Sequence, residues 1–340
     1  MRRTLIASAL AGLLAGCATT PPVASLPAVE VTASAETRPV STANEDAADD
    51  PAIWRNPADP EASLIVATDK KAGLYLYGLG GASLDFDPAG RVNNVDLAEL
   101  ADGQVVVVAS DRNDPAVARL RVYTLDTAAR KLVPVGTTPG GTGEAYGLCV
   151  HAQGDALHAF SVLKDGTVEE YRLTLLPDGI QSEHLRTRKL SSQAEGCVVD
   201  PRDGTFYVGE EDVGIWKFAA DSTQGELVAP ADSKQLVADV EGLAIMPEGK
   251  DGGWLVASSQ GDSAYAVYSL PGMEPAGRFR IGAGEFGSTE ETDGIDLMSG
   301  NFGPAYPDGL FVAQDGQNAP NAQNFKLVSW KAIREALTQQ

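Results

Sequence analysis

The sequence predicts an all-β chain folded as a six-bladed β-propeller of four-stranded antiparallel blades, and three observations carry the prediction. Short segments that join a polar residue to an apolar strand recur six times: DDPAIW, NNVDLAEL, AYGLCV, AEGCVV, VEGLAI and TDGIDL. Anchored on Asp50, Asn94, Tyr146, Glu195, Glu241 and Asp293, they lie 44, 52, 49, 46 and 52 residues apart, the period of propeller blades. Each anchor is followed by a second apolar strand ending in a polar turn and a third strand bearing an aromatic, as in LIVATDKKAGLYLY and TFYVGEEDVGIW. No amphipathic helical window appears before Lys331 to Leu337. Six such blades closed in a ring leave no exposed sheet edge.

From the N-terminus, MRRTLIASALAGLLAGC joins Arg2 and Arg3 to an apolar run, Leu5 to Leu14, that is too short to span a bilayer. Residues 1–17 read as a secretory signal, and Leu14-Ala15-Gly16-Cys17 looks like the lipobox of bacterial lipoproteins, with Cys17 lipidated. An ordinary signal with an incidental cysteine is the alternative. Ala18 after the cysteine points to outer-membrane sorting in a Gram-negative cell. Residues 18–27, rich in Ala, Pro and Thr, read as a flexible tether, and 28–340 as the propeller domain. The expected protein is an exported monomer that meets the membrane only through the lipid on Cys17. A strand around Val29 to Ala33 is expected to pair with the last blade and close the ring.

Two cysteines remain, Cys149 and Cys197. They are too few for a zinc site, and neither has Arg six residues on, since positions 155 and 203 are both Asp. They lie two and one residues after the equivalent glycines Gly147 and Gly196, hence on neighbouring inner strands, and both a disulfide and two buried thiols remain open.

A net charge of -21 would repel nucleic acid or a phosphorylated metabolite unless local basic residues or bound cations reverse the field. The inner strands of a propeller line its channel, so the anchors converge on one rim that gathers Asp49, Asp50, Tyr146, Glu195, Asp239, Glu241 and Asp293. The strand-end turns add Asp69, Lys70, Asp111, Arg112, Lys164, Glu211, Gln260 and Asp315. Turn shaping accounts for many Asp-Gly pairs but poorly for Glu195-Gly196 and Glu241-Gly242. Carboxylates crowded with few cations repel one another unless a divalent metal binds. Oxygen ligands without a Cys or His cluster favour calcium, several ions of which would turn the mouth locally positive. Lys70, Arg112 and Lys164 would then add donors to phosphate oxygens. The expected ligand is polyanionic, and a metal-bridged water attacking phosphorus needs no protein nucleophile.

The chain resembles the β-propeller phytases. The resemblance is carried by DDPAIW, ATDKKAGLYLY, GRVNNVDL, Ser110 to Arg112, EAYGLCV, AEGCVVD, VGEEDVGIWKF, DVEGLAI, ASSQGDSAYAVY, ETDGIDL, FVAQDGQN and NFKLVSW, which run from about Glu36 to Trp330. It implies calcium-dependent hydrolysis of myo-inositol hexakisphosphate, taken as its calcium complex, with a neighbouring site for an adjacent phosphate. It places phosphate binding on Lys70, Arg112, Tyr146 and Lys164, with Glu211 completing the catalytic group. It places calcium on Glu36, Asp49, Asp50, Glu195, Glu211, Asp239, Glu241, Gln260 and Asp293, with more structural ligands near Asp315 and Asn318. One departure stands in GEFGSTEE, where Phe286 occupies a position at which the family carries an acid, so Glu285 or Glu290 substitutes or one calcium binds more weakly.

The competing classes are a non-catalytic calcium-stabilised binding propeller and a calcium-dependent lactonase or esterase propeller. The basic set Lys70, Arg112 and Lys164, which a neutral lactone does not need, separates the latter. His151, His158 and His184 read as surface or strand residues, since no Arg-His-Gly motif accompanies them. Trp54, Trp216, Trp254 and Trp330 read as core.

Overall fold

Alternation along single strands builds the core. In Val105–Asp111, Val105 and Val107 enter one seam and Val106 and Val108 the opposite one, because successive side chains leave a strand on opposite faces. The strand is buried on both faces, so it reads as a continuous valine run. The computed structural model describes residues 25–154 and 156–339. The signal segment, Cys17 and the tether up to residue 24 lie outside them.

The strands form six antiparallel sheets around an axis. Their inner strands are Ala48–Trp54, Val92–Glu99, Ala145–Gln153, Ala194–Val199, Val240–Glu248 and Ile295–Met298. Each touches the next and the sixth touches the first, so the ring is closed. The hydrophobic core is divided among the seams between consecutive blades. Trp54 and Trp330 are buried in these seams, while Trp216 and Trp254 are partly buried against them. Each fully buried Val, Leu or Phe contributes about 1.5–3 kcal/mol, which is what holds blades that share few backbone hydrogen bonds.

Ring closure differs from the expectation. Val29–Thr32 does not join the last blade; it adds in parallel to Glu274–Gly282, pairing Val29 with Phe279, and gives the fifth blade a fifth strand. Its alternation points Val31 into the seam between the fifth and sixth blades. That pattern identifies a strand but says nothing of its partner. The last blade is completed instead by Ala35–Glu36, which pairs antiparallel with Asn324–Ser329. The one described α-helix, Trp330–Leu337, lays Trp330 and Ile333 onto the same seam as Val31. Cys149 and Cys197 form a disulfide across adjacent inner strands, with Cα atoms 5.7 Å apart, which decides between the two readings of these cysteines.

One irregularity repeats. In five blades the pairing of inner and second strands breaks across two residues: Asp49-Asp50, Asn93-Asn94, Tyr146-Gly147, Glu195-Gly196 and Glu241-Gly242. A bulge re-aims the side chain it carries, here toward the axis at one end of the ring. The glycine after the anchor is required by close approach. A Cβ on Gly147 would sit 1.9 Å from the carbonyl oxygen of Glu195, and one on Gly196 would sit 2.2 Å from that of Glu241. Gly147→Ala should therefore destabilise by about 3 kcal/mol or more, since what the methyl meets is the Glu195 backbone, which cannot swing aside as a side chain would. Gly80→Ala, where a Cβ meets nothing within 4 Å, should stay within about 0.5 kcal/mol. Denaturant unfolding of both variants checks the contrast.

Candidate metal and phosphate site

The bulges and strand-end turns bring the anchor residues of four blades to one mouth. Glu195, Glu211 and Glu241 are all buried, and one carboxylate oxygen of each lies within 4.8 Å of the others. Glu241 Oε2 is buried with no hydrogen-bond partner. On the adjoining side the Lys70 ammonium lies 2.8 Å from Asp46, 3.0 Å from Asp49 and 2.8 Å from Asp293. Gln260 donates to the other oxygen of Asp293 at 2.6 Å. A cleft of about 880 Å³, walled by Asp46, Gln260, Asp293, Asn318 and Gln323 among others, opens beside this group.

Across the mouth, the Tyr146 ring packs against two cations. Lys164 Nζ lies 5.2 Å and the Arg112 guanidinium 5.7 Å from its ring centroid, and Arg112 pairs with Glu144 at 2.8 Å. Gln193 donates to the Tyr146 hydroxyl at 3.2 Å and to Glu211 at 2.8 Å. Asn93, fully buried, ties the halves together. Its amide donates to Asp49 at 3.0 Å and to Glu195 at 2.6 Å, and its oxygen accepts from Arg112.

Burial dominates the electrostatics. It pushes Glu195 and Glu241 well above the ordinary carboxylate range, with Asp49 and Asp293 adding to Glu195 and with Glu195 and Asp293 adding to Glu241. Burial also raises Asp293; Lys70 pulls it back, Asp49 and Asp46 push it up, and it settles at about 7. Glu211 is raised by burial and by Asp239, against its bond from Gln193 and the charge of Lys164. Tyr146 is raised by burial and by Glu195, Glu241 and Glu211, which keeps its hydroxyl a donor. Lys70 is held charged because Asp49 and Asp293 outweigh its own burial. An unpartnered buried oxygen inside a set of carboxylates driven toward their neutral form fits a divalent cation with oxygen preference.

A family model described as Phytase matches residues 2–340 of this chain. The chain belongs to the phytase family. It is also 38% identical over 361 residues to the 3-phytase of Bacillus subtilis (strain 168), covering 98% of this chain and 94% of that relative. A chain of the solved mitotic checkpoint complex overlays with a TM-score of 0.50 at 12% identity, over 95% of this chain and 89% of that one, which shows a shared fold alone.

Of the phytase ligand set expected from sequence, the structure gathers Asp49, Glu195, Glu211, Glu241, Gln260 and Asp293 with Lys70, Arg112, Tyr146 and Lys164. Asp239 lies half-buried at the edge, close enough to raise Glu211. Asp50 turns down the channel, where it accepts from the Val95 amide at 3.0 Å and shares a small cavity with Asp96 and Asp296. Glu36, Asp315 and Asn318 form a separate group around Lys326. Asp69 and Asp111 shape turns, accepting from the amides of Lys71 and Asn113. Sequence reasoning missed Asn93, Gln193 and Lys326. Only Asn93 carried a signal, its place beside the anchor Asn94.

The raised carboxylates set a pH dependence. A group whose folded value lies above its unfolded one stabilises the fold while protonated and loses that contribution as pH rises through the folded value. For Asp293 the window runs from 3.8 to about 7. Protein treated with chelator should therefore melt at progressively lower temperature as pH rises through this range, and added divalent metal should remove the decline. A flat chelated profile in thermal melts would contradict the carboxylate repulsion assigned here.

Proposed function

We propose that the chain hydrolyses phosphate monoesters of myo-inositol hexakisphosphate, with several calcium ions as its cofactor and the calcium-complexed polyphosphate as its substrate. The observation that carries this reading is the placement of Arg112 and Lys164 against the Tyr146 ring, in the same mouth as carboxylates with an unpartnered buried oxygen. Membership of the phytase family and the likeness to a 3-phytase support it.

Glu195, Glu211, Glu241 and their neighbours would hold calcium, which would supply positive charge against phosphate oxygens and make nearby water more acidic. Arg112 presents a planar fork to a phosphate, and Lys164 a point charge beside it. Glu144 and Asn93 fix the guanidinium before substrate arrives, so less orientation is lost on binding. The Tyr146 hydroxyl, kept protonated, donates to a phosphate oxygen. Gln193 holds that hydroxyl and Glu211 in fixed relation. Lys70 neutralises Asp46, Asp49 and Asp293, and its ammonium would be free for phosphate were a divalent ion to hold those acids. Water is the attacking group. Both described cysteines are in the disulfide, and His158 and His184 pair with Glu170 and Glu169 within the third blade.

Export, with lipid attachment on Cys17 and a monomeric domain over 28–340, belongs to the same proposal. The N-terminal sequence supports it, as does a disulfide suited to an oxidising compartment.

Phosphate release from inositol hexakisphosphate should require calcium and stop in excess chelator; release that chelator leaves unchanged would remove the calcium reading. Arg112→Ala and Lys164→Ala should act through apparent affinity, by about 1.5–3 kcal/mol per lost charge-assisted contact. Glu211→Ala should lower turnover by a factor on the order of a hundred, with partial rescue at high calcium. Wild-type turnover in Glu211→Ala would show that the role given to this residue is wrong.

A further inference from the structure

Where the ring closes, the Lys326 side chain is fully buried and its ammonium lies inside a shell of four oxygens. They are Glu36 Oε2 at 2.6 Å, Asn324 Oδ1 at 3.0 Å, Asp315 Oδ2 at 3.1 Å and Asn318 Oδ1 at 3.3 Å. Two carboxylates and two amide carbonyls are the donor set a hard divalent cation takes, and Glu36, Asp315 and Asn318 are residues that the resemblance gives to calcium. We infer that this shell is not a calcium site in this protein: the Lys326 ammonium is its resident cation, and calcium binds only when that ammonium is removed.

Satisfaction of the shell is the first reason. None of its oxygens is among the buried atoms without a partner, in contrast to Glu241 Oε2 at the mouth. Asn318 and Asn324 are oriented by their own amides, which donate to the carbonyl of Ala322 at 2.7 Å and to Glu36 Oε2 at 3.1 Å. Their carbonyl oxygens are thereby aimed at the ammonium.

The second reason is that the ammonium has no exit. Lys326 pairs across the sheet with Glu36 on one side and Ala313 on the other, inside a strand that is buried along its whole length. Lys70 differs: it lies at the rim, and its partner Asp46 is 65% exposed, so its side chain can exchange partners with solvent or ligand. A divalent ion entering the Lys326 shell would sit against a trapped positive charge in a medium that screens poorly.

The third reason is that no further acid faces the shell. The loop passing beside it contributes Gly287, whose added Cβ would lie 3.6 Å from Nζ, and Phe286, which packs into the adjoining core. Glu285 and Glu290, the two candidates to replace the missing acid, are exposed, and neither side chain bonds to the shell among the described residues. The inference holds whatever reaction the mouth performs.

Calcium bound per protein, measured by native mass spectrometry and equilibrium dialysis on the mature chain, tests it. Asp315→Asn should bind as many calcium ions as the wild type; one fewer would overturn the inference. Lys326→Met should bind one more, and its melting temperature should rise more steeply with calcium than that of the wild type. A count equal to the wild type in folded Lys326→Met would refute exclusion by the ammonium. Should Lys326→Met fail to fold, the Asp315→Asn count decides alone.

Discussion

Repulsion among carboxylates that cannot move apart is the constraint around which the carboxylate-lined mouth of this propeller is built. Asp49, Glu195, Glu241 and Asp293 come from four different blades and are delivered to the axis by backbone, not by flexible side chains alone. The inner strands touch so closely at Gly147 and Gly196 that even a methyl group would not fit between them. Burial removes the water that would otherwise separate the charges. Relief comes in three ways: a proton, an ammonium or a metal ion. Asp293 shifts toward the protonated form, Lys70 bridges three of the acids, and the open oxygen of Glu241 marks where a metal would act.

A fold that holds charges this close must draw its stability from elsewhere, and it does so in the seams. Apolar second strands such as the valine run Val105 to Val108 fill both neighbouring seams, and the disulfide joins the third and fourth inner strands next to the anchors. Stability and strain are thus separated along each strand, with apolar pairing through the body and a bulge with a polar side chain at the end. Asn93 shows how tightly the mouth is coupled. One amide touches carboxylates from the first and fourth blades while holding a guanidinium from the second. Whatever shifts the acids also shifts Arg112.

The blades were legible in the sequence because their signal repeats. A bulge that turns a polar side chain to the axis recurs in five of the six inner strands, so the period survives although the residues vary. Unrepeated features were not legible. Val29–Thr32 alternates like any strand, and nothing in it states that the open edge it meets belongs to the fifth blade and not the sixth. Gln193 and Lys326 lie outside the anchors, and their roles depend on contacts far along the chain, Gln193 with Tyr146 and Lys326 with Glu36. Asp50 and Asp49 are neighbours in sequence, but the bulge sends one to the mouth and the other down the channel. That difference of one residue is set by strand register, which spacing alone does not encode.

The same geometry explains how so acidic a chain can accept a polyanion. At the mouth Lys70 is committed to three carboxylates and Arg112 to Glu144. Of the basic side chains there, Lys164 alone forms no ion pair among the described residues. One unpaired cation cannot offset the surrounding acids, let alone a net charge of -21. Positive charge therefore has to arrive from outside, either before the ligand or together with it. A divalent ion that enters satisfies the acids better than an ammonium does, since it carries twice the charge and accepts more oxygens. Such an ion would compete with Lys70 for Asp46, Asp49 and Asp293 and would free its ammonium for an anionic ligand. A metal at the mouth would thereby relieve the repulsion that opposes the fold and supply the positive field that a polyanion needs.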